Sequence, residues 1–244
     1  MRWFTDGRVV STGDEAGAPL LLLGADGFGR DILSRLLHGA RVSLALALAA
    51  MAGALLLGLL AGGTSGYAGG AVDEALSRLA DFVLVLPATY VVLALRAVMP
   101  LALPERDVFL LMTGIFALVG WPFIARGVRA IVASERRREY VEAARAAGAS
   151  DGRLLVRHLL PATTGFLAVQ CALLLPAFIL AEATMSYVGL GFSDRTPSWG
   201  TMLHEASNVT MLGEAPWALA PAAAIIVVVL AVNLAVESPV PPRS

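Results

Sequence analysis

The sequence predicts an all-α polytopic membrane protein, and three observations carry the prediction. Of its 244 residues, 57% are hydrophobic and only 15% charged, against roughly 45–50% apolar and about 25% charged in soluble domains. Mean hydropathy is +0.74. Five apolar segments are long enough to cross a hydrocarbon core about 30 Å thick, which takes about 20 residues of helix. Helices are expected because, in lipid, every backbone polar group must be satisfied within the segment.

In chain order, residues 1–41 form an N-terminal extramembrane segment, charged and glycine-rich. The first long apolar stretch begins near Val42, so Met1 does not open a cleavable signal peptide and internal segments must drive insertion. A transmembrane domain follows over 42–236, with spans at Val42 to Gly62, Phe82 to Met99, Val108 to Ala125, Ala162 to Ala181 and Trp217 to Val236. Residues 237–244 are a tail. Pro87, Pro122 and Pro176 fall in or beside spans, where neighbouring helices can re-satisfy the freed backbone groups. Gly58, Gly62, Gly66 and Gly70 recur every four residues. They form either a close-packing helix face or, at Gly62-Gly63 and Gly69-Gly70, breaks into a loop. The first pair suits packing and the last suits a loop. The single cysteine, Cys171, lies in an apolar run, which leaves no disulfide framework and points to a buried structural thiol.

Arginine placement sets the orientation. Between Arg126 and Pro161 stand eight arginines, Arg126, Arg129, Arg136, Arg137, Arg138, Arg145, Arg153 and Arg157. The positive-inside bias therefore puts the loop 126–161 in the cytoplasm. Alternation places 63–81 inside, 100–107 and 182–216 outside, and Trp199 and Trp217 near the outer interface. It also places the N-terminal segment outside despite Arg2, Arg8, Arg30, Arg35 and Arg41, a tension that a sixth span ahead of Met1 would resolve.

The most informative stretch lies inside that loop. Glu139-Tyr140-Val141-Glu142-Ala143-Ala144-Arg145-Ala146-Ala147-Gly148 spells a short helix stopped by glycine, and His158-Leu159-Leu160-Pro161 a second helix ended by proline. Tyr140, Ala143, Ala144 and Ala147 recur at i, i+3, i+4 and i+7, giving an apolar and mostly small face. Small side chains let a partner approach the backbone, with Glu142 and Arg145 positioned to orient it. Such a face suits docking in a groove of a soluble partner or, equally on periodicity, lying on the membrane surface.

The spacing of Glu142-Ala143-Ala144, three residues, Gly148, nine residues, then His158 and Pro161 resembles the coupling loop of ABC-importer permeases, and His158 is similar to the peptide-importing branch. The resemblance extends from about Leu23 to Asn233. Gly24-Ala25-Asp26-Gly27-Phe28-Gly29-Arg30-Asp31 with Gly39-Ala40-Arg41-Val42-Ser43-Leu44 looks like the segment before the second span of dipeptide/oligopeptide permeases, where Thr is usual at the Ala25 position. Gly66-Tyr67 with Asp73, and Ser186-Tyr187-Val188-Gly189-Leu190-Gly191-Phe192 with Pro197-Ser198-Trp199-Gly200, resemble later stretches.

The resemblance implies a MetI-like permease fold, with five spans here and six expected in a full-length member, located in the bacterial inner membrane. It implies a second homologous permease subunit, two ABC ATPase subunits and an extracytoplasmic solute-binding protein as partners, with the lipid bilayer as solvent. The ATPase-coupling residues it implies are Tyr140, Glu142, Ala143, Ala144, Ala147, Gly148, His158 and Pro161. The cargo would be peptides or similar small solutes.

Other residues point nowhere else. His38, His158 and His204 have no metal-ligand spacing, and all eighteen basic residues are Arg, so no phosphate loop ending in Lys-Ser/Thr can form. No cofactor is expected, no catalytic residue is assigned, and ATP hydrolysis falls to other chains. The net charge of −1 suggests no nucleic-acid partner. Glu182, at the outer end of its span, is a functional candidate or a carboxylate hydrogen-bonded to the following loop. Arg96 can snorkel, and Arg78 with Asp81 makes an i, i+3 surface pair. Two alternatives stand beside the importer: an ion-coupled secondary transporter, which needs midplane carboxylates, and a shortened permease remnant.

Overall fold

The computed structural model describes residues 2–5, 8–11, 21–87, 90, 91, 94, 104–193, 195–207 and 216–237. Strands β1 (Arg2–Thr5) and β2 (Arg8–Ser11) pair antiparallel, with Arg2 opposite Ser11. This hairpin is a departure from the expected all-α content. Among the described residues, the longer regular elements that follow are all helices.

Helix α1 (Ile32–Ala68) starts at Asp31, whose carboxylate accepts the backbone N–H groups of Leu33 and Ser34 at 3.1 and 3.3 Å. At 1.5 Å per residue its 37 residues extend about 55 Å, well beyond a bilayer core. It contains the predicted first span and continues past both ends. Gly69 and Gly70, at φ +68° and +56°, end it and turn the chain into α2 (Gly70–Val85). The predicted span at Phe82 to Met99, with Arg96, lies for the most part outside the described residues. The other four predicted spans correspond to the four helices among the described residues that are long and apolar enough to cross a membrane.

Helix α3 (Glu105–Glu135) runs parallel to α1 and forms its main partner. The glycines explain why. A Cβ added at Gly58 would meet Ile124 Cβ at 2.5 Å, one at Gly62 the Ala125 carbonyl oxygen at 2.4 Å, and one at Gly66 the Arg129 carbonyl oxygen at 2.6 Å. Three of the four spaced glycines therefore make a packing face, and only Gly70 belongs to a break; Gly62-Gly63 does not interrupt the helix. Because the pairing is parallel, α1 and α3 begin at one end of the molecule and finish at the other. Pro122 sits inside α3 without ending it.

After α4 (Glu139–Ala146) comes α5 (Asp151–Leu154), a π turn (Leu155–Leu159), a 3-10 turn (Leu160–Thr163) and α6 (Thr164–Tyr187), without a break. Pro161 was expected to end a helix; it does not. Its missing N–H and the bulk of its ring are absorbed where the wide π turn gives way to the tight 3-10 turn. Helix α6 returns antiparallel to α1, with Phe178 stacked on Phe116 at 5.7 Å and Cys171 half-buried. Helix α7 (Trp199–Ala206) opens on a capping box between Ser198 and Thr201. A 3-10 turn (Pro216–Leu219) leads into α8 (Ala220–Glu237), packed on α6. The two tryptophans expected near the outer interface differ in exposure: Trp199 is packed inside the protein. It is 2% exposed and its Nε1 donates to the Leu36 carbonyl at 3.2 Å, whereas Trp217 is 42% exposed.

Candidate functional site

At the end where α1 and α3 finish, helix α4 stands against the body of the protein. Val141 is fully buried and Ala144 half-buried against the core, while Tyr140, Glu142, Ala143, Arg145 and Ala147 are exposed. The predicted face is therefore divided. Ala144 belongs to the seated side with Val141, and Tyr140, Ala143 and Ala147 remain as the presented surface. The helix stops in a Schellman turn: Ala149 N–H donates to the Ala144 carbonyl at 3.1 Å and Gly148 N–H to the Arg145 carbonyl at 3.0 Å, with Gly148 at φ +83°. No atom lies within 4 Å of a Cβ built on Gly148. Glycine is needed there for its backbone conformation, not for space.

His158 lies half-buried in the π turn, its ring 6.5 Å from that of Tyr140. Tyr140 in turn donates to Glu135 at 2.8 Å, and burial first, then this bond, pushes its hydroxyl above the ordinary value of 10. Pro161 is exposed one turn further on. The structure thus gathers Tyr140 and His158 beside the helix, with Pro161 at the entry to α6.

Two residues that the motif did not single out lock this element in place. The Tyr67 hydroxyl, from the last turn of α1, donates to Asp151 at the start of α5. Arg136, just past α3, donates to the Tyr67 carbonyl. The end of α1 thereby holds both flanks of the α4 segment. Nearby, Asp73 of α2 receives both Arg129, whose Nη2 lies 2.7 Å from Oδ2, and the Ser65 hydroxyl. The Arg129 guanidinium, then Ser65, hold its carboxyl far below the ordinary 3.8. A signal for these ties existed only as unassigned polar residues at helix ends. Arg78 and Asp81 do not pair with each other: Arg78 contacts Glu74 at 2.5 Å, and Asp81 contacts Arg126.

The opposite end is knitted by two polar clusters. Glu182 is fully buried and accepts from Ser43 Oγ at 2.6 Å and Ser186 Oγ at 2.8 Å, and Ser43 Oγ also accepts the Trp199 N–H at 3.2 Å. Its partners are Ser43 of α1, Ser186 one turn further along α6 and, from the following loop, Ser198, as one of the two sequence readings of this carboxylate expects. One carboxylate thus joins α1, α6 and the start of α7. The second cluster joins Arg35 to Glu205 through two bonds of 2.5 and 2.8 Å and to Asp26 at 2.6 Å, while Arg30 contacts the same two acids at 2.7 and 2.9 Å. Two of the N-terminal arginines that strained the topology are neutralised by it.

Comparison with known proteins adds a family to this geometry. Residues 54–238 match the family described as binding-protein-dependent transport system inner membrane component. The chain is 37% identical over 221 residues to a di/tripeptide transport system permease protein of Pseudomonas aeruginosa, covering 90% of this chain and 70% of that one. It is 33% identical over 224 residues to an oligopeptide transport system permease protein of Lactococcus lactis, covering 91% and 74%. Among solved structures, the inward-facing MetNI methionine ABC transporter is similar with a TM-score of 0.65 at 16% identity, over 84% of this chain and 94% of that chain.

Proposed function

The chain belongs to the family of binding-protein-dependent transport system inner membrane components, and from that premise we propose how this permease subunit of an ABC importer works and what it carries. The cargo is a short peptide or a similarly small solute, in keeping with the peptide permeases it is similar to. Partners are a second homologous permease subunit enclosing the path, two ATPase subunits in the cytoplasm and a solute-binding protein on the other face.

One observation carries the coupling assignment. Helix α4 is seated by Val141 and Ala144, stopped by Gly148, and presents Glu142, Ala143 and Ala147 to solvent, with Tyr140 beside them held by Glu135 and His158. Small side chains permit close approach of an ATPase surface, and Glu142 orients it. His158 and Pro161 border the same surface. The eight arginines place this end in the cytoplasm. Pairing of Arg30 and Arg35 with Asp26 and Glu205 offsets the charge of two of the five N-terminal arginines, in keeping with an outer placement of this segment.

Mechanistically, α4 acts as a lever. Closure of the ATPases on nucleotide moves it, and the bonds of Tyr67 to Asp151 and of Arg136 to the Tyr67 carbonyl transmit that movement to α1 as well as to α3 and α6. The energy is differential contact of the nucleotide-bound ATPases with two arrangements of the permease.

The test is Ala143→Arg and Ala147→Arg, at positions where an added charge meets solvent in the free subunit. Both variants are expected to insert and remain folded while losing ATPase co-purification and solute uptake; normal association and uptake by both would refute the assignment. Labelling of a Glu142→Cys variant from the extracytoplasmic face would refute the orientation.

A further inference from the structure

Between the starts of α1 and α3, at the end remote from α4, a cavity of about 460 Å³ opens. Its lining combines Arg41 and Glu105-Arg106 with Phe109, Phe192 and Thr196. Two features distinguish it from a mere gap between helices. Thr196 is 7% exposed and its Oγ1, though buried, has no hydrogen-bond partner among the described residues. A buried hydroxyl left unpaired is costly, so an unpaired one lining a cavity points to a missing partner. The arginines are the second feature. Arg35, nearly two turns before Arg41, and Arg30, ahead of the helix, are each bound to two carboxylates, whereas the exposed Arg41 and Arg106 make no ion pair among the described residues, and neither does Glu105 beside them.

We propose that this cavity binds an anionic oxo group, a carboxylate or a phosphate, carried on a small apolar body. Arg41 and Arg106 supply the charge, Thr196 Oγ1 donates a further bond, and Phe109 and Phe192 cover the apolar part. The volume lies within the range of about 300–1,000 Å³ usual for small-molecule sites. The inference rests on the reading that this end faces away from the cytoplasm, where two sources of such a group exist: the C-terminal carboxylate of a short peptide and the phosphate of an anionic lipid.

The test uses the complete transporter in phosphatidylcholine nanodiscs. In one arm phosphatidylglycerol is added and its retention is read by native mass spectrometry. In the other, a benzophenone-bearing tripeptide is photolabelled with its C-terminus free or amidated. Retention of phosphatidylglycerol over phosphatidylcholine identifies the lipid; labelling by the free acid and not the amide identifies the solute. In whichever arm is positive, Arg41→Gln combined with Arg106→Gln lowers occupancy about tenfold or more, and Thr196→Val about fivefold, with unchanged far-UV circular dichroism. Unchanged occupancy in the double variant, or no preference for the anion in either arm, overturns the proposal. ATPase co-purification is followed on the same samples. Its loss with anion binding intact strikes the coupling assignment alone, and the converse strikes the cavity alone.

Discussion

Replacing Gly62 by alanine adds a single methyl group, yet its consequence should be large. The new Cβ would lie 2.4 Å from the Ala125 carbonyl oxygen, 2.9 Å from Val128 Cβ and 3.0 Å from Ala125 Cα. Two of those atoms are backbone and cannot rotate aside. Since a carbon rests about 3.3 Å or more from a carbonyl oxygen, α1 and α3 must part by roughly 1 Å at this level. A gap of about 0.5–1 Å forfeits about a quarter to a half of each dispersion contact it opens, and over-packing of this kind costs about 1–3 kcal/mol. Alanine also favours a helix over glycine by up to about 1 kcal/mol, which masks part of the loss. Gly114→Ala in α3 is the control, because a Cβ there meets nothing within 4 Å and only the propensity gain applies. In reversible unfolding of the purified protein from mixed micelles, Gly62→Ala should therefore be less stable than Gly114→Ala by about 1–3 kcal/mol. Equal stabilities, within about 0.5 kcal/mol, would refute close backbone packing as the origin of the α1–α3 pairing.

Ser43→Ala removes one donor from the buried Glu182 and the acceptor of the Trp199 N–H, and should destabilise the protein by about 2–4 kcal/mol in the same unfolding assay, with Ser43→Thr closer to wild type. Tyr67→Phe deletes only the hydroxyl that reaches Asp151, so stability should change by about 1 kcal/mol or less, while solute-stimulated ATP hydrolysis falls in reconstituted vesicles; full stimulation would argue against transmission through α1. Burial alone would raise the Asp26 carboxyl, but the N–H groups of Arg30 and Phe28 and the Arg30 guanidinium outweigh it, so its pKa lies below the ordinary 3.8. Its contribution to stability is thus complete above about pH 4 and lost as pH falls further. The acid-side fall in thermal midpoint should shrink in Asp26→Asn, and an unaltered profile would remove Asp26 from the account.

Much of the architecture was legible because membrane helices announce themselves by length and apolar content alone. The glycine spacing contained more than it could disclose: only the parallel approach of α3 shows that Gly66 packs while Gly70 turns. Pro161 misled for a local reason, since a proline ends a helix only where no neighbouring turn can widen to receive it. Along α4, periodicity groups the small residues on one face but does not say which flank meets the core, and Ala144 is half-buried against it. The bonds of Tyr67 to Asp151 and of Arg35 to Glu205 escaped notice for another reason. Each joins residues distant in sequence, and such pairings exist only once helices have been placed together.

The π turn at Leu155–Leu159 inserts slack into an otherwise regular screw. Each residue of an α-helix advances the winding by about 100°, so trimming one residue here would swing the cytosolic hook around the barrel axis of α6 by about that angle while leaving every bond inside either part intact. The turn works as a phase setting between two rotors, fixed by the count of residues it holds.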